Sequence, residues 1–211
     1  MLDFVLNAFI TLFIVIDPVG VAPVFVGLTA RGDRAQRERM AWRGVLLAAG
    51  ILYAFALLGT PLLEALGVTL AAFRIAGGVL LFLLAVDMIL VRATGLRSAT
   101  GEEQREAMEL EDISVFPLAI PLIAGPGAMT SLVLLMGRTT DDPARTAALL
   151  AVLAAVLACS LLALLFAVRL TALLGTTGTN VVARVLGIVL AALAVQYVLD
   201  GLQAVGLVPA G

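Results

Sequence analysis

The sequence predicts an all-α, polytopic membrane protein: six transmembrane helices form two inverted three-helix repeats, and helices 1 and 4 are broken by Pro and Gly. Three observations predict this fold. The 211 residues are 62% hydrophobic and 13% charged, with a mean hydropathy of +1.14, far above an ordinary soluble domain. Six segments are long and apolar enough to cross a bilayer. Two of the six carry matching Pro/Gly interruptions, which is typical of transporters built from two repeats.

Four uninterrupted apolar segments predict four of the spans. A bilayer core of about 30 Å needs about 20 residues of helix at 1.5 Å each. Each segment is close to that length and carries at most two ionisable side chains. The four segments are Ala41–Gly59, Leu70–Leu90, Thr146–Val168 and Val181–Leu199.

Two further segments, Phe4–Leu28 and Ile113–Met136, complete the six spans, and each is interrupted near its middle. The first contains Asp17-Pro18 and the second contains Gly125-Pro126. Asp is a favourable N-cap, and Pro is tolerated at the first helical position. Asp17-Pro18 therefore predicts that one helix ends and another begins, and Gly125-Pro126 repeats this arrangement without the acid. Such irregular backbone is tolerated at membrane depth only inside protein or beside a wet cavity.

The spacing of these landmarks predicts an internal duplication. The two breaks are about 108 residues apart, and the segments Arg74-Ile-Ala-Gly77 and Arg184-Val-Leu-Gly187 are about 110 apart. With three spans in each repeat, the second repeat inserts upside down relative to the first. The predicted organisation is a first repeat over residues 1–92, a charged cytoplasmic linker over 93–112, and a second repeat over 113–211.

The distribution of arginine predicts the orientation. With six full spans, ten of the thirteen basic residues lie on one side of the membrane. Cytoplasmic loops carry an excess of Lys and Arg, so this side is expected to be cytoplasmic and both termini are expected outside. Residues 1–16 lack the basic region of a signal peptide and are interpreted as part of the first span. The expected location is the plasma (inner) membrane of a bacterium.

A competing topology treats Phe4–Leu28 and Ile113–Met136 as re-entrant hairpins. It gives the same arginine count but places both termini inside. Full spans are favoured, because about 25 residues cross the bilayer core comfortably, whereas a hairpin of that length barely reaches the midplane.

The two helix restarts predict a substrate site near the middle of the membrane. Each new helix begins with free backbone N–H groups and the positive end of a helix dipole, which bind anionic groups such as a carboxylate. Glycine allows the backbone to approach a ligand closely, and nearby Asn, Thr and Ser offer polar partners. The candidate substrate-binding residues are Asn7, Thr11, Asp17, Pro18, Gly20, Pro23, Gly125, Pro126, Gly127, Thr130 and Ser131.

Asp17 is the most informative single residue, because an ionisable group at membrane depth is costly and marks function by default. Its alternative role is structural, as the cap of the restarted helix, and the two roles are compatible.

The other polar residues in the spans are interpreted as residues of the membrane interface rather than of a binding site. Asp87 and Arg74 lie near opposite ends of the third span, where long side chains reach the membrane interface. Gln196, Tyr197 and Asp200 cluster at the outer end of the last span, where we expect an interfacial belt.

Catalytic and metal-binding constellations are not predicted. The chain has no His and one Cys, Cys159, which leaves no Cys/His pair and no usual zinc ligand set. We therefore expect no enzyme, no catalytic residues, no metal site and no cofactor. The expected partners are the lipid bilayer and a small-molecule solute. Nucleic acid is not expected, since no basic patch with interleaved aromatic residues is present, and homo-oligomer formation stays open.

Four motifs resemble the MarC family of bacterial inner-membrane proteins. The run Phe13-Ile-Val-Ile-Asp-Pro-Val-Gly-Val-Ala-Pro-Val-Phe25 is similar to the opening segment of that family, and Pro117-Leu-Ala-Ile-Pro-Leu-Ile-Ala-Gly-Pro-Gly-Ala-Met-Thr130 is similar to its fourth. The segments 73–82 and 184–201 match its third and sixth. The resemblance spans nearly the whole chain. One departure is Asp17, since the family often carries Asn at this position.

The resemblance implies a fold similar to LysE-type six-helix exporters and, because some members are described as neutral amino-acid transporters, a transport function. We expect an inner-membrane transporter or exporter of a small polar solute, with neutral amino acids as the expected class. Two alternatives stay open: a lipid-handling membrane protein, and a non-transporting structural or accessory protein. A transporter predicts a water-accessible pocket at Asp17 and Gly125. An accessory protein predicts dry packing there, and a lipid handler predicts a pocket open sideways to the bilayer.

Overall fold

The computed structural model describes residues 1–30, 32–91, 112–139 and 142–208, and within these ranges the regular structure is entirely helical. An irregular helical segment, Ser114–Ile123, precedes the fifth α-helix. The predicted linker, residues 93–112, lies outside the described residues except for Asp112. The helices are α1 Leu2–Ile16, α2 Pro18–Leu28, α3 Arg34–Ala65, α4 Leu70–Leu90, α5 Pro126–Met136, α6 Pro143–Leu165 and α7 Ala167–Ala204.

The predicted class, an all-helical protein with several membrane spans, is confirmed. Five helical stretches are long and apolar enough to cross a membrane, with Leu2–Leu28 counted as one, and the pair formed by Ser114–Ile123 and α5 makes a sixth when it is taken as one span. That pair is bent by 54°. A bend of this size leaves both pieces running in the same general direction, whereas a re-entrant hairpin has to reverse. The geometry therefore favours six spans over paired hairpins.

Two helices are longer than their apolar segments. α4 has the predicted bounds, but α3 begins at Arg34 instead of near residue 41, and α7 extends from Ala167 to Ala204 with an interruption at Gly175, where φ is +62°. The start of α3 is set by Asp33, whose Oδ1 accepts a hydrogen bond of 2.7 Å from the N–H of Gln36. Hydropathy marks where a helix leaves the apolar layer, whereas a polar cap marks where the helix begins.

The ends of the helices gather at two ends of the bundle. At the end that we call the terminal end, Arg138 just after α5 pairs with Asp200 near the close of α7, at 3.0 Å. At the other end, which we call the loop end, the last turn of α2 and the start of α3 share a groove with the junction of α6 and α7. Successive spans therefore end at alternate ends of the bundle, as expected for a chain that crosses the membrane six times.

The contact between α4 and α7 is the most extensive in the bundle. A Cβ placed on Gly78 of α4 would lie 2.7 Å from the carbonyl oxygen of Ala194, and a Cβ on Gly187 of α7 would lie 3.1 Å from the carbonyl oxygen of Ala85. The two glycines are as far apart in sequence as the two alanines. If each residue is replaced by its counterpart in the other predicted repeat, the Gly78–Ala194 contact becomes the Gly187–Ala85 contact. Small residues let the backbones approach, as is usual between membrane helices.

The larger of the remaining contacts between helices follow the same exchange of repeats. α1 and α2 pack on α6, and Ser114–Ile123 and α5 pack in the same way on α3. α4 contacts α5, just as α7 contacts α1 and α2. Exchanging the first three spans for the last three therefore leaves this set of contacts unchanged. The inverted orientation of the two repeats stays a prediction.

Asp112 fastens the second broken span to α3. Its carboxylate accepts hydrogen bonds from the Ser114 N–H, at 2.9 Å, and from the Ser114 hydroxyl, and it forms an ion pair with Arg43. The hydrogen bond from the Ser114 hydroxyl, then the one from its backbone, then the charge of Arg43 hold the pKa of Asp112 below its ordinary value of 3.8.

Gly78→Ala is expected to destabilise the protein, because the new methyl group would meet a backbone carbonyl that cannot rotate away. Overpacking of this kind costs about 1–3 kcal/mol, which thermal unfolding of the purified protein in detergent would detect. Gly50→Ala is the matched control, since a Cβ on Gly50, also inside a long helix, meets nothing within 4 Å. Equal unfolding temperatures for the two variants would contradict the backbone contact between α4 and α7.

Asp112→Ala is expected to lower the free energy of unfolding by about 1 kcal/mol at neutral pH, because the hydrogen bonds from the Ser114 N–H and hydroxyl are lost. The pKa of Asp112 is lower in the folded protein than in the unfolded chain. The contribution of the carboxylate is therefore complete above about pH 4 and is lost as the pH falls through the lowered folded-state pKa. The gap between the wild-type and variant unfolding curves should narrow below pH 4. A gap that is constant on acidification would rule out the ionised carboxylate as its source.

Candidate functional site

The first break is a left-handed residue that caps the helix after it. Asp17 has φ 50° and ψ 66°, a conformation that Asp and Asn adopt more readily than most residues. Its Oδ1 accepts a hydrogen bond of 3.0 Å from the N–H of Gly20, and Pro18 occupies the first position of α2. A Cβ on Gly20 would collide with the carboxylate. Asp17 is 4% exposed, so this cap lies in the interior.

The second break begins with two prolines that interrupt the segment Ser114–Ile123. Phe116 and Ile120 are extended, with φ/ψ of −128°/131° and −125°/128°. Each precedes a proline, Pro117 or Pro121, and a residue before proline is driven out of the helical region. The peptide bonds that join these pairs are cis. The segment is therefore a chain of short turns rather than a regular helix.

α5 then begins inside the protein without a side-chain cap. Its N-cap residue is Gly125, and Pro126 takes the first helical position. The first N–H groups of a helix have no partner within that helix. Gly125 and Gly127 are buried, whereas Pro126 is exposed. A Cβ on Gly125 would lie 2.6 Å from the carbonyl oxygen of Pro121, so glycine is needed for the chain to pass here.

The two breaks meet in the interior. A Cβ on Gly127 would lie 3.3 Å from Cγ1 of Val15, which is two residues before Asp17. The same position would lie 3.0 Å from Leu81 and 3.2 Å from Leu84, both on α4. The N-terminus of α5 is therefore enclosed by α1 and α4, next to the end of α1.

A narrow apolar cavity lies at this meeting point. It has free space of about 20 Å³, which admits roughly one water molecule. Its lining includes Val15, Leu84 and the start of α5, but Asp17 does not contribute. Two of its lining residues, Pro126 and Leu80, are exposed, and Leu80 lies halfway along α4. The cavity therefore faces the side of the bundle rather than either end.

Two predicted hydroxyl residues lie in the first turns of α5. The methyl group of Thr130 faces α4, where a Cβ on Gly77 would collide with it. Ser131 is fully buried, and its Oγ has no hydrogen-bond partner within the part of the chain that the structure describes. Buried hydroxyl groups are almost always hydrogen-bonded, so Ser131 is a candidate partner for a polar ligand.

The predicted polar residues of α1 and α2 are less closely grouped. Thr11 is buried and within hydrogen-bonding reach of the Tyr197 hydroxyl. Asn7, one turn nearer the N-terminus, is exposed, so the structure does not bring it to the breaks. Pro23 is partly buried inside α2, well past its first turn.

A polar cluster at the terminal end contains residues that the sequence interpretation placed in an interfacial belt. Asp200 accepts from Arg138 at 3.0 Å and from Gln196 at 2.6 Å. The Arg138 guanidinium lies 5.8 Å from the ring centre of Tyr197. Tyr197 is 3% exposed, so the belt interpretation is wrong for this residue. The four residues, which we call the Arg138–Asp200 cluster, join the end of α5 to the end of α7, and Tyr197 extends them to Thr11.

The chemistry that these residues offer is binding. The uncapped start of α5, the buried Asp17 carboxylate and the Ser131 hydroxyl supply the kinds of donor and acceptor that a polar ligand needs. Within the described ranges, no three His, Cys, Asp or Glu side chains are grouped so that they would hold a metal ion.

Comparison with known proteins gives one family over nearly the whole chain. The family model described as "MarC family integral membrane protein" matches residues 2–205. A UPF0056 membrane protein of Archaeoglobus fulgidus is 39% identical over 203 residues, which cover 95% of this chain and 93% of that relative. The UPF0056 membrane protein YvbG of Bacillus subtilis is 33% identical over 203 residues, 96% of either chain.

A third relative, the UPF0056 membrane protein YhcE of Escherichia coli, is 34% identical over 197 residues, which cover 93% of this chain and 91% of that protein. No solved structure matches. The family match contains both breaks and both of the helices, α4 and α7, that meet at Gly78 and Gly187. It confirms the resemblance drawn from the motifs. The chain belongs to the MarC family of integral membrane proteins.

Proposed function

We propose that this protein transports a small polar solute across the plasma membrane of a bacterium, with neutral amino acids as the expected class. The observation that carries this proposal is the N-terminus of α5, which lies in the interior and has no side-chain cap. The same helix carries the Ser131 hydroxyl, which has no hydrogen-bond partner within the described residues. Free N–H groups and the positive end of the helix dipole favour a carboxylate at this position.

Asp17 supplies the opposite charge at the neighbouring break. Asp17 is buried, and Val15, two residues before it, lies close to the start of α5, since a Cβ on Gly127 would be 3.3 Å from Val15 Cγ1. An amino acid carries a carboxylate and an ammonium group, so a helix N-terminus beside an aspartate matches both ends of the zwitterion. A purely anionic solute would be repelled by the aspartate. This pairing of groups favours amino acids over simple anions.

Alternating access is the expected mode of action. In transporters with inverted repeats, the site lies near the midplane and the repeats rock around it. The exchange-related contacts of the helices support such a two-repeat arrangement, and the small cavity fits a conformation closed around the site. The Arg138–Asp200 cluster would hold the terminal end shut. In the proposed orientation this end faces outward, and the arginine-rich loop end faces the cytoplasm.

A second candidate function, lipid handling, is favoured by one observation. The cavity beside the second break has Leu80 and Pro126 at its exposed edge, at mid-height on the bundle, where acyl chains of the bilayer would lie. The same cavity is narrow and mainly apolar, with space for about one water molecule, which fits the dry packing that the non-transporting accessory interpretation predicts. The three interpretations differ in which molecules cross a membrane that contains the purified protein.

Proteoliposomes loaded with a panel of labelled neutral amino acids are expected to release at least one of them faster than protein-free vesicles. Gly127→Ala should reduce this release at least tenfold, because the methyl group fills the cavity and shields the N–H groups of α5. Its Cβ would meet flexible side-chain ends at 3.0–3.3 Å, so the fold is retained. Gly27→Ala is the control, since nothing lies within 4 Å of that position.

The same vesicles, prepared with a fluorescent phospholipid, measure lipid scrambling. Scrambling without amino-acid release would support the lipid-handling function and overturn the transport proposal. Absence of both activities, with correctly folded protein, would support the accessory interpretation. Full amino-acid release by Gly127→Ala would exclude a site at the start of α5.

Asp17→Asn is expected to remove the pH dependence of transport and to leave folding intact. Asn tolerates the left-handed conformation and also caps helices, so the geometry at the first break is preserved while the titratable group is lost. Release rates of the wild type and the variant would be compared over the whole pH range in which both proteins stay folded. Identical pH profiles would mean that Asp17 acts as a helix cap alone.

A further inference from the structure

A groove at the loop end of the bundle combines an apolar floor with a charged rim. It measures about 280 Å³ and lies between the end of α2, the start of α3 and the α6–α7 junction. Phe25, which is 2% exposed, and Leu165 contribute to the floor. The groove is thus much larger than the cavity beside the second break, and it is separate from the candidate substrate site.

The rim of this groove carries an excess of positive charge. Arg34, Arg37 and Arg169 line it, and Glu38 is the one acidic residue among its lining residues. Glu38 forms an ion pair with Arg34 at 2.8 Å. Its negative charge is therefore directed to Arg34, and the positive potential of the groove comes mainly from Arg37 on α3 and Arg169 on α7.

The depth of the groove matches the boundary between acyl chains and headgroups. α2 and α6 are apolar to their last turns and end at Leu28 and Leu165, and the three arginines lie just beyond these ends. A soluble anion would bind the arginines but would make no favourable contact with the apolar floor. A phospholipid uses both, because its phosphate lies directly above its apolar part.

We propose that this groove binds an anionic phospholipid of the phosphatidylglycerol class. The phosphate contacts Arg37 and Arg169, and the glycerol and first acyl carbons cover Phe25 and Leu165. Basic pockets between membrane helices bind anionic headgroups in this way. The proposal does not depend on transport, since a bound lipid would hold the α2–α3 and α6–α7 connections together in any function.

Trp42, the one tryptophan of the chain, provides the measurement. It is 51% exposed on α3, one turn beyond Glu38 on the same face. Its fluorescence would be recorded in vesicles that contain brominated-chain phosphatidylglycerol in a phosphatidylcholine background, and in the reverse mixture. The ratio of the two quenching curves gives the preference for the anionic lipid near this helix.

Arg37→Gln and Arg169→Gln are expected to lower this preference roughly fivefold each, the factor that one arginine contributes at an anionic surface. Arg37→Lys keeps the charge and should retain most of the preference, which separates binding from misfolding. Arg39→Gln is the matched control, because Arg39 is exposed on the same helix but does not line the groove.

Three results would overturn the proposal. The first is an unchanged preference in the Arg37→Gln/Arg169→Gln double variant. The second is an equal loss in Arg39→Gln, which would mean that the lipid responds to the general surface charge. The third is full displacement of the lipid by inorganic phosphate with the same dependence on Arg37 and Arg169, which would make the groove a site for a soluble anion.

Discussion

A backbone that leaves the helical conformation inside a membrane must find its hydrogen bonds within the protein, and this requirement organises the whole bundle. The first irregular stretch, at Asp17, lies in the interior, and the second, before α5, is buried along most of its length against the longer regular helices. The first stretch satisfies part of the requirement itself, through the carboxylate that caps α2. The second has no such side chain, so its N–H groups are left for another partner.

The sequence predicted the features that depend on residues close together along the chain. Span positions follow from hydropathy, and both breaks follow from the effect of proline and glycine on the local backbone. The pairing of Arg138 with Asp200 was beyond such reasoning, because it depends on which faces two distant helices present to each other. The exposure of Asn7 has the same origin, since it is set by the rotation of α1 against its neighbours.

The two ends of the bundle differ in the way their charges are used. At the terminal end, Arg138 is paired with an acidic residue and lies over an aromatic ring. At the loop end, three arginines and one glutamate line an apolar groove, and the glutamate pairs with Arg34 on its own helix. At the terminal end, an ion pair thus joins two helices, whereas the groove at the loop end is lined by more basic than acidic side chains. This difference accompanies the proposed orientation, in which the positive end meets the anionic inner leaflet.

The left-handed backbone at Asp17 also limits the paths that evolution has at this position. Gly, Asn and Asp are the residues that adopt this conformation with least strain. The codons for Asn and Gly each differ from an Asp codon by a single base, so a lineage gains or loses the buried charge in one mutational step without passing through a misfolded intermediate. The charge at position 17 can therefore change by mutation while the backbone conformation at this position stays the same.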